Sequence, residues 1–345
     1  MKFAIVTFHV PHPQGSAAGR QLWALADAFQ RDGHDLQGWC WGPGAATLSM
    51  PDWCEWSPQR GPQGPAAHLR TLMSPRAGSA GGGWQPAADD AVRWADDWAS
   101  WPAVSRMGGI RVVTVHYDVA TDAHVLGWTA ARVQDWRAQR RAVRQSDVTW
   151  ALSDDVSRRV DGTAVPATLP IPDQPLPLRA EPIALLFADW SWPANARALR
   201  ALLQAWPTVR ARVAGAELVI AGRGSAEVGT AAGVRVIGEV SSTLDAMSEA
   251  AVLAFPCPPT SGPKLKVLDA LAAGLPVVTT PAGIEGLSVP PDAVAVADEH
   301  TYAEALAATL AGVDTRATMA QQARAAVLEQ HAPAVAARAR LARLT

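Results

Sequence analysis

Phe255-Pro256-Cys257-Pro258-Pro259-Thr260-Ser261-Gly262-Pro263-Lys264-Leu265-Lys266-Val267-Leu268-Asp269-Ala270-Leu271-Ala272-Ala273-Gly274-Leu275-Pro276-Val277-Val278-Thr279-Thr280 is the stretch that decides the fold. An apolar run closes in a loop of small residues and prolines. A helix opens near Pro263, a residue suited to the first helical position, and stops at Gly274, with Pro276 behind it. Leu265, Leu268 and Leu271 form its apolar stripe, and a second short apolar run follows. Strand, helix and strand in this rhythm are the repeat of an α/β sheet with mostly parallel strands.

Working outward, the same rhythm covers the chain. Candidate strands are 3–8, 35–39, 111–116, 148–152, 183–187, 217–221, 234–237, 251–255, 276–280 and 294–296, with helical stretches over 18–31, 129–145, 194–205 and 241–250. Pro166, Pro170, Pro172, Pro175, Pro177 and Pro182 crowd one span that can continue neither a helix nor a central strand. The expected organisation is a domain over 1–165, a proline-rich linker over 166–182, a second α/β domain over 183–328, and a last helix within 329–345 that packs back on the first domain. The cleft of such a pair is the natural ligand site. Residues 57–90, rich in Gly, Pro, Ser and Ala, read as a long loop.

The 345 residues carry 30 basic and 32 acidic side chains and are 49% hydrophobic, which describes a globular chain and not a dedicated nucleic-acid binder. Cys40, Cys54 and Cys257 lack metal-finger spacing, and an odd count suits no disulfide framework. Lys2–Thr7 is too short for a signal-peptide core, and no run of about 20 apolar residues spans a membrane. A cytoplasmic protein is the expectation, and no feature of the sequence supports a peripheral membrane contact.

The charges of the 255–280 stretch raise a chemical question. Lys264 and Lys266 sit in the first helical turn, where the helix dipole disfavours cations and the backbone N–H groups attract anions. A phosphate held by the helix start and both lysines would reconcile the two, with Asp269 one turn deeper to accept from sugar hydroxyls. Solvated lysines, with Asp269 paired to Lys266, are the other reading, and the residues alone leave both open.

This segment resembles the donor-binding motif of the family-four retaining glycosyltransferases of the GT-B fold, two Rossmann-like domains facing across a cleft. The family pattern is Glu-x7-Glu, an alanine-rich helix, then Gly-x-Pro-Val-Val, matched here by Gly274-Leu275-Pro276-Val277-Val278. The resemblance implies that Asp269, at the second acidic position, binds the nucleotide ribose. The first acidic position falls on Ser261, a departure that removes the family's usual contact to the donor sugar. Ser261-Gly262-Pro263-Lys264-Leu265-Lys266 is closer to a Gly-Ser-Gly-x-Arg-x-Lys variant of the loop, and the resemblance makes Ser261, Gly262 and Leu265 donor-binding candidates beside the lysines.

The likeness extends over nearly the whole chain. Phe187–Asn195 resembles the first strand and loop of the second domain, without the Gly-Arg and later Lys that grip the diphosphate in many relatives. Arg223, Lys264 and Lys266 are the expected substitutes, since guanidinium binds phosphate in bidentate fashion. Ile237 and Gly238 fall where the family's backbone reads the base. Gly15 and Ser16 open a helix after the first strand, where relatives bring a glycine-rich loop to the diphosphate, although a plain tight turn explains Gly15 equally well. His116, ending the 111–116 strand, takes the place of a cleft histidine near the anomeric carbon, with Asp118 in support.

Absences narrow the chemistry. No Asp-x-Asp, P-loop, Gly-x-Ser-x-Gly or complete dinucleotide fingerprint occurs. His9 and His12 straddle Pro11 with no carboxylate close by in sequence, so no metal site is expected. Asp89-Asp90 and Asp96-Asp97 read as solvated helix charges. The resemblance therefore implies a metal-independent retaining transfer from a nucleotide-diphosphate sugar, a UDP- or GDP-sugar, to a carbohydrate, lipid-linked or small-molecule acceptor, with no further cofactor. Its rivals are an epimerase or phosphorylase on the same fold, and a non-catalytic sugar-nucleotide-binding subunit. Of 15 tryptophans, 12 precede residue 151. Most suit core packing, whereas Trp53, Trp56 and Trp84 lie in or beside irregular segments and are the acceptor-side candidates.

Overall fold

The structure is a computed structural model that describes residues 1–42, 48–56, 90–225 and 231–344. The chain forms two compact units. Unit 1 comprises Met1–Pro170, Ser261–Pro263 and Pro333–Thr345; unit 2 comprises Ile171–Thr260 and Lys264–Ala332.

Unit 1 runs β1 (Lys2–Thr7), α1 (Ala17–Arg31), β2 (Asp35–Cys40), β3 (Cys54–Trp56), β4 (Val92–Ala95), α2 (Trp101–Val104), β5 (Arg111–Val115), α3 (Val119–Leu126), α4 (Ala130–Gln145), β6 (Val148–Ala151), α5 (Asp154–Val160) and β7 (Thr163–Ala164). The strands make one parallel sheet in the order β3-β2-β1-β4-β5-β6-β7. Its central strands are buried on both faces, as parallel strands between helices must be. Tryptophan fills much of this core. Trp39, Trp41, Trp98 and Trp101 share one buried cluster, and Trp94 stands edge-on to Trp150 at 5.3 Å.

Unit 2 runs β8 (Ile183–Phe187), α6 (Pro193–Arg212), β9 (Glu217–Ala221), β10 (Val234–Gly238), α7 (Thr243–Ser248), β11 (Val252–Phe255), α8 (Leu265–Ala273), β12 (Val277–Thr279), β13 (Ala295–Val296), α9 (Tyr302–Ala311) and α10 (Val313–Gln330). The last helix, α11 (Pro333–Leu341), belongs to unit 1. The unit 2 sheet is also parallel, ordered β10-β9-β8-β11-β12-β13. In each sheet the order reverses beside the unit's first strand, at β1/β4 and at β8/β11. That reversal is the topological switch point, where parallel α/β sheets bind ligands beyond their strand C-termini.

Several expectations need correction. Asp96 and Asp97 are not solvated helix charges: they follow β4 directly and are 1% and 4% exposed. Asp90 is exposed and pairs with Lys2 at 3.2 Å. Strands β3, β4 and β7 went unread because they are two to four residues long, too short for periodicity to register. Helix α6 does not stop before Trp206 but continues through Pro207 to Arg212. Ala194, Ala198, Leu202, Trp206 and Val209 keep helical spacing across the proline, and their burial outweighs the lost hydrogen bond. The proline-rich segment has no regular element, yet it is tied down. Thr168 N–H donates to Gln21 Oε1 within unit 1, and Leu176 N–H to the Ala273 carbonyl within unit 2.

Candidate functional site

In unit 2 the β8–α6 turn collects the chemistry. Helix α6 begins with Pro193 and has no side-chain cap at Trp192; Pro193 carries no N–H, and the Asn195 N–H closes the turn on the Trp192 carbonyl at 3.0 Å. Asn195, in that turn, donates its amide to the Asp189 carbonyl at 2.8 Å. Lys266 reaches the same place from α8, donating Nζ to Asn195 Oδ1 at 2.6 Å with the amine 4.3 Å from the Phe255 ring centroid. Desolvation is the main reason its pKa is pulled down to about 8; the charge of Lys264 adds to this, while Cys257 and Asp189 oppose it. A dianionic ligand would reverse that penalty.

Arg223 approaches from the β9 side. It lies 3.6 Å from Asp189 and 3.6 Å from Glu239, and its side chain is 70% exposed. Gly222, just before it, has φ +107°, and a Cβ there would come within 2.0 Å of the Ala188 carbonyl oxygen. Only glycine lets the β8 and β9 ends approach so closely. Gly222 N–H donates to the Gly238 carbonyl, and Gly238 itself has φ +82°. The β9–β10 register slips between Val236 and Gly238, a bulge that takes Ile237 out of the ladder. Asp269, 4% exposed, accepts from Thr243 Oγ1 at 3.3 Å. Lys264 serves as the N-terminal boundary residue of α8, two positions later than Pro263 had suggested, and donates Nζ to the Thr260 carbonyl. Leu265 is the first residue of that helix and is partly exposed. The structure thus joins Lys266 to Arg223 through Asn195 and Asp189, and links Asp269 to the start of α7.

In unit 1 the polar groups at the strand ends have a different character. His116 donates Nε2–H to the Asp96 carbonyl at 2.7 Å. His9 lies 3.8 Å from Asp97 and shares a 3.3 Å hydrogen bond between Nδ1 and Ser16 Oγ. Ser16 also caps α1 by accepting from Gly19 N–H. A Cβ on Gly15 would come within 2.9 Å of the Val10 carbonyl oxygen, so close backbone packing accounts for that glycine. Asp118 caps α3, accepting from Ala120 N–H, Thr121 N–H and Thr121 Oγ1. Ser261 is buried: its Oγ accepts from Asp118 N–H at 2.8 Å, and its N–H donates to Asp122 Oδ1 at 2.8 Å. Gly262, with φ +76°, lies against the His116 carbonyl, 2.2 Å from where a Cβ would stand.

Asp96 is the residue sequence reasoning missed. Burial is the first cause, and neighbouring Asp97 the second, of a pKa pushed up to about 8. Its signal was the end of a strand too short to read. Asn195 escapes sequence reasoning as well, because an uncharged amide carries no phosphate signature. Trp53 is 9% exposed, and its ring packs over Gly38 of β2, where a Cβ would come within 2.6 Å of it. The side chain of Trp56 and the whole of Trp84 lie outside the described residues. No group of three or more metal-ligating side chains occurs among the described residues, and no described helix is long and apolar enough to cross a membrane.

The family described as glycosyl transferases group 1 matches residues 181–312. Apart from Ser261–Pro263, that match falls within unit 2. No curated protein sequence matches the chain. Among solved structures, sucrose-phosphate synthase from Thermosynechococcus elongatus superposes with a TM-score of 0.73 at 14% identity, over 99% of this chain and 98% of that one. Anabaena HepE, in complex with UDP and glucose, gives 0.68 at 14% identity over 100% and 99%. TarM of S. aureus gives 0.63 at 11% identity over 75% of this chain, which spans only 56% of TarM's length. The fold is GT-B, with two Rossmann-like units, and the family match lies in the second.

Proposed function

We propose that the chain transfers a sugar from a nucleotide-diphosphate sugar to an acceptor hydroxyl, without a metal and with retention of anomeric configuration. The observation that carries this reading is the convergence of Lys266 and Arg223 on the β8–α6 turn of a group 1 glycosyltransferase domain. Two cations at a switch point suit a diphosphate and stabilise charge on it as it leaves. Asp269 and Thr243 are assigned to the ribose, the bulge at Ile237 and Gly238 to the base, and Lys264, Leu265, Gly15 and Ser16 to the donor phosphates. HepE was captured with UDP-glucose, which makes a UDP-sugar the first donor to try and a GDP-sugar the second. His116 is assigned to orienting the transferred sugar, with Asp118 holding the turn behind it. Trp53, Trp56 and Trp84 remain the candidates for the acceptor, a carbohydrate, lipid-linked or small-molecule hydroxyl.

Thermal shift against UDP, GDP, ADP and dTDP tests the donor assignment. One nucleotide should raise the melting temperature of the wild type progressively with concentration, and Lys266→Ala should shift that response to roughly 10- to 100-fold higher nucleotide. A flat response to all four would sink the donor reading. Proton NMR of the anomeric centre of the product decides the stereochemistry, and inversion would overturn retention. The non-catalytic rival draws on Ser261, a buried hydroxyl at the family's acidic position; a nucleotide that binds without turnover across acceptors would favour it.

A further inference from the structure

We propose that Asp96 is a positioning residue for His116, carried as a neutral acid that donates to Thr7 and so holds its own main-chain carbonyl on the histidine ring. Proton counting at Thr7 points there. Thr7 Oγ1 has a single proton. It accepts from His9 N–H at 3.0 Å and lies 3.0 Å from the His9 carbonyl and 3.1 Å from Asp96 Oδ2. A carboxylate at Asp96 would compete with the His9 carbonyl for that proton. A protonated Asp96 donates to Thr7, Thr7 donates to His9, and every group is satisfied.

The surroundings favour the neutral form. Asp96 is 1% exposed, and Thr7 is its side-chain hydrogen-bond partner. The charged or titratable groups around it come from five places. Asp97 follows it in sequence, and His9 comes from the β1–α1 loop, 3.8 Å from Asp97. Cys40 comes from β2, its thiol pushed up to about 11, chiefly by burial and in part by Asp96. His116 comes from β5. Arg340 comes from α11 and attracts Asp96 electrostatically, but its Nη1 is committed to the Pro166 and Ala336 carbonyls at 3.0 Å and it makes no ion pair with the carboxyl. A buried carboxyl with a hydroxyl partner, a second carboxyl beside it and no ion pair keeps its proton.

The consequence reaches His116. A carbonyl only accepts, so the 2.7 Å bond to Asp96 places a proton on Nε2 of the histidine. The Thr7–Asp96 link fixes where that carbonyl stands. Ionisation of Asp96 removes the donated bond and sets a charge beside Asp97.

Infrared difference spectra of wild type against Asp96→Asn test the proton directly. The expected result is a protonated-carboxyl band at pH 6 that is absent from the variant and converts to carboxylate as the pH rises past 8. A carboxylate already present at pH 6 would overturn the proposal. Nitrogen-15 NMR of His116 and donor turnover test the positioning. Asp96→Ala and Thr7→Val should disturb the His116 Nε2–H signal and lower kcat at least tenfold with KM little changed. Asp96→Asn, whose amide N–H replaces the acid proton, should restore both at pH 7 and lose the alkaline decline of the wild type. If Asn behaves as Ala does, the proposal fails. The kinetic part rests on the glycosyltransferase reading. Turnover absent in the wild type would count against that reading alone, while the infrared and NMR results would still decide the state of Asp96.

Discussion

The two switch points share one topology and opposite chemistry. At β8/β11 the strand ends gather a lysine, an amide and an arginine shared between Asp189 and Glu239; at β1/β4 they gather two carboxyls and two histidines. Strand order fixes where a parallel sheet can bind and says nothing about what it binds. In unit 2 the half-buried Lys266 has its pKa pulled down, chiefly by desolvation. In unit 1 the groups at the strand ends are linked by hydrogen bonds among carboxyl, hydroxyl, imidazole and main-chain carbonyl.

The contrast breaks most visibly at glycine. Gly222→Ala places a Cβ against the Ala188 carbonyl at a positive φ, and Gly262→Ala does the same against the His116 carbonyl. Each should cost roughly 2–4 kcal/mol from overpacking and backbone strain together. Gly222→Ala should abolish nucleotide binding and leave the His116 NMR signals in place; Gly262→Ala should displace those signals and spare the nucleotide. Calorimetry and NMR on both variants check this, and a common collapse of both readouts would erase the distinction.

A second difference lies in how each site pays for burial of a charge. Asp96 has its folded pKa raised from 3.8 to about 8. Its contribution to stability is therefore fully present below about pH 4 and is lost as the pH rises to about 8, because the folded state holds a proton that the unfolded state releases. At about 1.4 kcal/mol per pKa unit, the loss at pH 7 is on the order of a few kcal/mol. Asp96→Asn should flatten that slope and raise stability at pH 7, as read by urea unfolding across pH 4–8. An unchanged slope would mean that the carboxyl is already ionised.

Much of this was legible in the sequence, and the failures have physical causes. The 255–280 stretch gave the helix and both strands around it, because long apolar periodicity and a Gly-x-Pro stop are local signals. Lys266 was legible because a cation in a first helical turn is anomalous, and Asp269 because it stands at the second acidic position of the motif this stretch resembles. Asp96 was not, since a four-residue strand containing Arg93 has no readable period, and burial is a tertiary property. Asn195 was hidden because its role comes from Asp189 and Lys266, 6 and 71 residues away. The capping bonds of Asp118 to Ala120 and Thr121 were not legible either, because they depend on where α3 begins.

Lys266→Ala sharpens the comparison at the next level. Loss of a hydrogen-bonded charge is worth about 1.5–3 kcal/mol, so nucleotide affinity should fall roughly 10- to 100-fold. The wild type should also take up a proton on binding near pH 8, because a bound anion raises a lysine pKa that desolvation had lowered. The dependence of calorimetric enthalpy on buffer ionisation measures that uptake. No uptake, with affinity unchanged in the variant, would move the anion away from Lys266.

Arg223 should matter least, and the reason separates buried from exposed charge within unit 2. Its guanidinium is 70% exposed and already shared between Asp189 and Glu239. Exposed pairs of this kind are worth about 0–1 kcal/mol, so Arg223→Ala should weaken nucleotide binding by only about two- to fivefold. The deficit should shrink as salt is raised from about 0.05 to 0.5 M, since screening acts on exposed charge and spares the partly buried lysine. Titrations of both variants across that range decide it. If Arg223→Ala proves the more damaging and keeps its deficit in high salt, the diphosphate is gripped at the β9–β10 edge, and the chemical contrast between the two switch points no longer explains how the donor is held.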